Sequence, residues 1–302
     1  MSLLTKTGVP HVHLLDAGLI AMPEYTGVYL LDTDTPAIVE TGFSYSVPRI
    51  LDGLEELNIS PEDVKYIIPT HIHMDHAGGA GGLAQMCPNA KVLVHESVAN
   101  YLVDPSDLVK SVKRAVGDLF ERYGEMVPIK KNRLLKVDGG EKFQLQDDFT
   151  LRIVYAPGHA PHQFCVFVPE HHALFTADAC GIFLKEIGHL SVTTPPPAFR
   201  LGAALETLGN LDALDPKILL YTHYGAYKSG TRLDDYADLL MKWVTDIEKL
   251  YNTTDDFEGI RQHFIKKYYA DFEGHYDAVM AKEEIGMNVT GVLLYLKRRR
   301  GR

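Results

Sequence analysis

Residues 71–76 read His-Ile-His-Met-Asp-His, four good metal ligands within six consecutive positions. The run follows an apolar stretch, Tyr66-Ile67-Ile68-Pro69-Thr70, that reads as a buried strand, and it opens into Ala77-Gly78-Gly79-Ala80-Gly81-Gly82, which leads into a helix. A fold for this chain must therefore bring a strand, a tight corner and a helix together around these side chains. Side chains alternate along extended backbone, so His71 and His73 point the same way and can share one ion, while Asp75 and His76 turn with the chain towards a second position. The glycines after His76 let the backbone pack closely without a side chain filling the space.

Three later segments repeat the arrangement of an apolar strand ending in a ligand-type residue beside a turn: Tyr155-Ala156-Pro157-Gly158-His159, Leu174-Phe175-Thr176-Ala177-Asp178 and Leu219-Leu220-Tyr221-Thr222-His223. Strand ends gather at one edge of the sheets in a layered α/β fold, so these residues can converge on the His71 corner. The rest of the pattern agrees with that class. Short β-type runs occupy His11 to Asp16, Val28 to Asp32 and Ala37 to Glu40. A helix is expected over Ser46 to Leu57, with Val47, Ile50, Leu51, Leu54 and Leu57 on one face. Another runs through Met86, before a strand at Lys91 to His95 and a charged helical stretch from Ser106 to Tyr123. A second strand-rich block spans Leu134 to Val137, Lys142 to Leu145, Thr150 to Tyr155, Gln163 to Val168 and Ala173 to Thr176. It is followed by a helix over Ala203 to Leu214 and a strand at Lys217 to Tyr221, so the order of strands then helix occurs twice and points to two similar halves.

From Arg232 onward the spacing is almost wholly helical, which divides the chain into a catalytic part, 1–229, and a C-terminal helical extension, 230–302. Leu239, Leu240, Trp243, Ile247 and Leu250 must bury a face, either as a cap that shapes the cavity or as a contact in a homodimer. The formal charge of −10 excludes general attraction to nucleic acid or anionic membrane. Cys87, Cys165 and Cys180 are odd in number and lack metal-type spacing, so reduced thiols and a cytoplasmic location are expected. No segment has the length and apolarity to cross a bilayer.

On the His71 run and the three later ligand-bearing segments, taken in order, residues 10–225 resemble the metallo-β-lactamase superfamily of hydrolases. The resemblance implies an α/β fold, the four-layer αββα sandwich. It further implies that His71, His73 and His159 bind one metal, that Asp75, His76 and His223 bind a second, and that Asp178 bridges them. Imidazoles hold divalent cations tightly, and carboxylates balance charge and can span two ions. Two cations about 3.5–4 Å apart depress the pKa of a shared water towards neutrality, so a hydroxide can attack with no serine or cysteine nucleophile. Asp75 is placed to steer that nucleophile or relay its proton.

The bridging position holds aspartate where many β-lactamases have cysteine, and the chain looks more like the glyoxalase II, lactonase and thioesterase branches. The expected activity is hydrolysis of an ester, thioester or lactone of a small molecule. A phosphodiesterase or endoribonuclease is one alternative, prompted by Lys297-Arg298-Arg299-Arg300-Gly301-Arg302, whose bland reading is a solvated terminus. A non-haem iron oxidoreductase is the other. Zinc is the expected metal, with iron or manganese compatible with the same nitrogen and oxygen donors.

Two departures from the superfamily's usual pattern stand out: Glu40-Thr41-Gly42 in place of Asp-Thr-Gly, where the longer acid must reposition something, and Ala177 in place of glycine before the bridging aspartate. Tyr224, next to His223, is a candidate donor to a developing oxyanion or a packed core residue. His95 is expected to brace a ligand. Pro195 to Pro197 with Phe199 form a stiff wall at the cavity mouth or a plain connector. Leu108, Val112, Ala115, Val116, Leu119 and Phe120, opposed by Lys110, Lys113 and Arg114, describe a lid that draws acidic substrates or a solvated amphipathic helix.

Overall fold

Residues 27–31, Gly-Val-Tyr-Leu-Leu, are buried on both faces, so this strand needs cover above and below. Val28 and Leu30 join one apolar cluster and Tyr29 and Leu31 another. The computed structural model describes residues 2–18, 23–185, 188–274 and 277–301, and the side chains of Ala115, Val116, Asp118 and Leu119 lie outside that description.

The first sheet is built in chain order from β1 (Leu4–Lys6), β2 (Val12–Asp16), β3 (Gly27–Leu31), β4 (Ala37–Val39), β5 (Tyr66–Ile68), β6 (Lys91–His95) and β7 (Leu134–Val137). β1 to β4 pair antiparallel and β4 to β7 pair parallel. The second sheet begins with β8 (Lys142–Gln146), β9 (Phe149–Tyr155), β10 (Phe164–Val168) and β11 (Ala173–Phe175). A separate hairpin, β12 (Ile182–Leu184) with β13 (His189–Ser191), comes next. β14 (Ile218–Tyr221) then pairs parallel with β11, and β15 (Gly225–Lys228) closes the second sheet. The two expected halves are thus two sheets.

The sheets face each other across a core that includes Leu14, Tyr29, Val39 and Ile68 from the first and Phe149, Phe164, Val166 and Phe175 from the second. Tyr29 spans the interface, donating its hydroxyl proton to Tyr221 O at 2.6 Å, so a large apolar ring enters the core without an unpaired polar atom. On the outer face of the first sheet lie α1 (Val47–Glu56), α2 (Met74–Ala77), α3 (Ala80–Met86), α4 (Ala99–Val103) and α5 (Ser106–Val116). The outer face of the second carries α6 (Leu201–Asp212), α7 (Arg232–Tyr251), α8 (Phe257–Tyr268) and α9 (Ala278–Arg300). The result is the four-layer αββα order.

Leu240, Trp243 and Ile247 of α7 and Ile285, Val289 and Leu293 of α9 enter the same cluster as Leu208 of α6 and Leu219 of β14. The apolar face after residue 230 therefore buries against the second sheet and its covering helix. α9 packs directly on the chain before Phe199, where a Cβ on Gly291 would stand 1.9 Å from Thr194 O. Three of the basic C-terminal residues have partners within the fold. Arg298 donates to Pro197 O and Phe199 O, Arg299 pairs with Glu248, and the Arg300 guanidinium lies 3.8 Å from the centre of the Tyr251 ring. No helix among the described residues is long and apolar enough to cross a membrane, and Cys87, Cys165 and Cys180 are free and buried.

Candidate metal centre

The chain leaves β5 extended and turns into α2 at Met74, with His73 as the cap residue at φ −61°, ψ 149°. This switch separates the ligand run into two directions. His71 Nε2 and His159 Nε2 each approach His73 Nδ1 to 2.9 Å, so three imidazole nitrogens converge on one point. Asp75 Oδ2 lies 3.5 Å from Nε2 of both His76 and His223. Asp178 stands between these groups: Oδ1 is 3.3 Å from His76 Nε2 and 3.5 Å from His223 Nε2, and Oδ2 is 3.3 Å from His159 Nε2. The ends of β5, β9, β11 and β14 supply the seven side chains.

The ligand atoms of His71, His73 and His159 lie within 4.8 Å of one another, as do those of His71, His76 and Asp178 and those of Asp75, His76 and His223. Bonds of about 2.0–2.2 Å to a divalent cation place neighbouring donor atoms at about this spacing. His76 Nε2 and Asp178 Oδ1 are buried with no hydrogen-bond partner among the described residues, which a cation would satisfy. The donor set fits a pair of metal ions.

The ligands are held from behind. Glu40 is 1% exposed, and its Oε1 accepts hydrogen bonds from His76 Nδ1 at 3.0 Å, Thr70 Oγ1 at 2.6 Å and Thr222 Oγ1 at 3.0 Å. Thr70 Oγ1 in turn lies 3.2 Å from His71 Nδ1. One carboxylate thereby fixes the tautomers of two ligands and the residue preceding a third, leaving each Nε2 lone pair free to point into the centre. Glu40 holds φ +66°, a left-handed conformation that costs a side-chain-bearing residue about 1–2 kcal/mol. Ala177 takes φ +48°, and glycine adopts that conformation without strain.

Further support comes from the loops and the late helices. His159 Nδ1 faces Thr193 O at 3.4 Å, and Thr193 Oγ1 donates to Asp178 O at 2.8 Å. Tyr236 of α7 accepts a hydrogen bond from Thr193 N at 3.2 Å. His223 Nδ1 donates to Tyr25 O at 2.9 Å, and the two rings pack at 5.0 Å. His162, which sequence reasoning missed, accepts the Ile72 N–H on Nε2 at 3.3 Å and so pins the backbone between His71 and His73. Its position three residues after His159 was the available signal.

Burial, reinforced by neighbouring imidazoles, lowers His71 and His73 well below the ordinary histidine value, and burial lowers His159. These rings stay neutral and available as ligands. Burial also acts against charge on His76, but the Glu40, Asp178 and Asp75 carboxylates outweigh it and lift His76 well above the ordinary value. Asp178 resists its own burial because His76, His159 and His223 surround it, and it is held well below the carboxylate range.

Other expected residues lie elsewhere. Tyr224 turns into the core between the sheets, 3% exposed, with its hydroxyl held by Thr5 and burial raising it to about 12. The reason is local: its side chain follows the inward alternation of β14 and β15 and packs against Gly27, leaving Tyr25 as the tyrosine beside His223. His95 braces no metal ligand; its Nδ1 bonds Ser97 and its Nε2 lies 3.4 Å from Asp138. Phe199 is 1% exposed beneath α9, lining the space behind His159 and Asp178 rather than the mouth. Leu108 and Val112 pack on the first sheet's outer cluster, and Lys113 pairs with Glu125 over the Phe120 ring, so this segment is an amphipathic cover. Ala115, Val116 and Leu119 of that face lie outside the described side chains.

The sequence profile of the Metallo-beta-lactamase superfamily matches residues 22–223. The chain belongs to that superfamily. Among the relatives of this metallo-β-lactamase-fold chain is the Metallo-beta-lactamase fold-containing protein ST1585 of Sulfurisphaera tokodaii, 30% identical over 76% of this chain and 85% of its own length. An N-acyl homoserine lactonase, AttM, of Azorhizobium caulinodans is 33% identical over 42% of this chain and 45% of its own length. Among solved structures, the metallo-β-lactamase family protein TTHA1429 of Thermus thermophilus superposes with a TM-score of 0.70 at 21% identity, covering 97% of this chain and 95% of that one.

Proposed function

We propose that this chain is a binuclear metal-dependent hydrolase that cleaves an ester, thioester or lactone of a small molecule. The observation that carries this reading is the placement of Asp178, with one oxygen towards His76 and His223 and the other towards His159. His71, His73 and His159 would hold one cation, Asp75, His76 and His223 the other, and Asp178 would span them. When bound, two divalent cations supply a water activated near neutral pH and polarise the scissile carbonyl.

The chain's own groups would complete the chemistry. Asp75 is partly exposed at 24%, and its Oδ2 faces the two imidazoles, which leaves Oδ1 to accept the proton of the attacking water and return it to the leaving oxygen or sulfur. Glu40, Thr193 and Tyr25 fix the imidazole orientations, so no reorganisation is needed during the reaction. The aspartate at the bridge and the similarity to a lactonase both favour acyl–oxygen or acyl–sulfur cleavage over β-lactam cleavage. Arg298, Arg299 and Arg300 each have partners within the fold, which weighs against the phosphodiester alternative that the basic C-terminus prompted. Zinc is the metal we propose, and iron or manganese suits the same nitrogen and oxygen donors, so elemental analysis decides between them.

Elemental analysis of protein purified without added metal, joined to a panel of thioesters, lactones and phosphodiesters, tests the reading. About two equivalents of zinc per chain and ester turnover that is lost with a chelator are expected. Iron, oxygen uptake and no hydrolysis would overturn it.

A further inference from the structure

Glu284 of α9 is linked to the metal centre through Tyr25, from a part of the chain that carries none of the ligands. Its Oε2 accepts the Tyr25 hydroxyl proton at 2.6 Å, and the Tyr25 ring rests on His223. The carboxyl group is close enough to His223, Asp178 and Asp75 to feel their charges. Its second oxygen, Oε1, is buried with no hydrogen-bond partner among the described residues. A buried acceptor left unpaired is costly, so Oε1 calls for a partner, which an ordered water or a bound ligand can supply.

The same flank holds two more polar atoms in this state. Tyr45 Oη is buried with no hydrogen-bond partner among the described residues, and so is Arg122 Nη1, which lies 3.5 Å from Asp277 Oδ1 as an ion pair. Both Tyr45 and Tyr123 feel the charge of Asp75, and Tyr123 also feels Glu284. Phe43 joins these tyrosines, stacking on Tyr45 at 5.2 Å and meeting Tyr123 edge-on at 5.5 Å. Asp277 and Glu284 are two helical turns apart on one side of α9, so this helix face closes the flank.

We infer that Glu284 is a specificity-determining residue, whose Oε1 accepts a hydrogen bond from an N–H or O–H group carried near the scissile carbonyl of the substrate. The inference rests on the hydrolase reading and narrows it. The substrate class becomes acyl compounds bearing a hydroxyl or amide donor, with the ring surfaces of Tyr45, Phe43 and Tyr123 receiving apolar parts. A site built to hydrogen-bond such a donor discriminates strongly against an analogue in which the donor is capped.

The test uses two matched pairs on the metal-loaded full chain: a 2-hydroxyacyl thioester with its 2-methoxy counterpart, and an N-acylaminoacyl ester with its N-methyl counterpart. The wild type should favour the donor-bearing member of at least one pair by about tenfold or more in kcat/KM. Uncleavable amide analogues of each pair should show the same preference in calorimetric binding. In Glu284→Leu the preference should vanish, the donor-bearing member of the pair losing more kcat/KM than the capped member. Glu284→Gln should go further: Tyr25 keeps its acceptor on the amide oxygen, so the amide N–H2 replaces Oε1 and opposes the substrate donor.

Unchanged preferences in both variants would overturn the inference. Equal loss on both members with falling metal content would do so too, because Glu284 would then merely prop Tyr25 and His223. If the wild type hydrolyses nothing in the panel, the hydrolase reading fails, and the binding preference still decides the role of Glu284.

Discussion

Glu40 Oε1 lies 3.0 Å from His76 Nδ1, and the same oxygen receives Thr70 and Thr222, so one buried acid ties together the backs of strands from both sheets. Glu40→Gln keeps the volume and removes the charge. It should lower affinity for the metal at the Asp75, His76 and His223 position by about 10–100-fold while sparing the other position more. Competition with a graded series of chelators measures the two affinities; equal weakening at both positions would contradict this division.

Tyr224 and Tyr25 should behave oppositely. Tyr224→Phe removes a hydroxyl held by the exposed Thr5 of edge strand β1, away from the metal ligands, so kcat should stay within about twofold and stability should fall by about 1 kcal/mol or less. Tyr25→Phe frees Glu284 and should lower kcat/KM markedly. Steady-state kinetics beside urea unfolding separates them, and a large kcat loss in Tyr224→Phe would restore it as an oxyanion donor.

Acid should loosen the ligand loop through His162. Burial, with the neighbouring His159 and His95, lowers this ring from 6.5 to about 4. Between those values the unfolded chain binds a proton that the folded chain refuses, so the stabilisation is complete above pH 6.5 and is lost as pH falls towards 4. The full effect is about 3 kcal/mol. Protonation would also remove the acceptor for Ile72 N–H. His162→Gln retains an acceptor and should flatten the stability profile between about pH 7 and 4.5, measured by denaturant titration; an identical slope would refute the assignment.

Arg298 should prove structural. Its guanidinium caps the carbonyls of Pro197 and Phe199, so Arg298→Met should cost about 1–3 kcal/mol from two unpaired acceptors. Thermal unfolding reads the loss. RNA affinity at physiological salt should be negligible before and after the change, and a drop in measurable RNA binding would revive the nucleic-acid reading.

The sequence alone marked most strands and helices and the seven candidate ligands, because local periodicity and strand-end positions are short-range properties, and the resemblance to the metallo-β-lactamase superfamily supplied the four-layer order. The unbroken apolar run Val28 to Leu31 marks a two-sided strand, and the His71 to His76 run is compact enough to be recognised before folding. The edge strands β1 and β15 and the β12–β13 hairpin are runs of only three or four residues, too short for their pattern to mark them as strands. Tertiary structure decided which side chains back the ligands. Glu40 meets Thr222 across 182 residues and Tyr25 meets Glu284 across 259, distances at which no residue pattern encodes a contact. It likewise sent Tyr224 inward despite its place beside His223, since the direction of a side chain at a strand end is set by the turn and by the space left between two packed sheets.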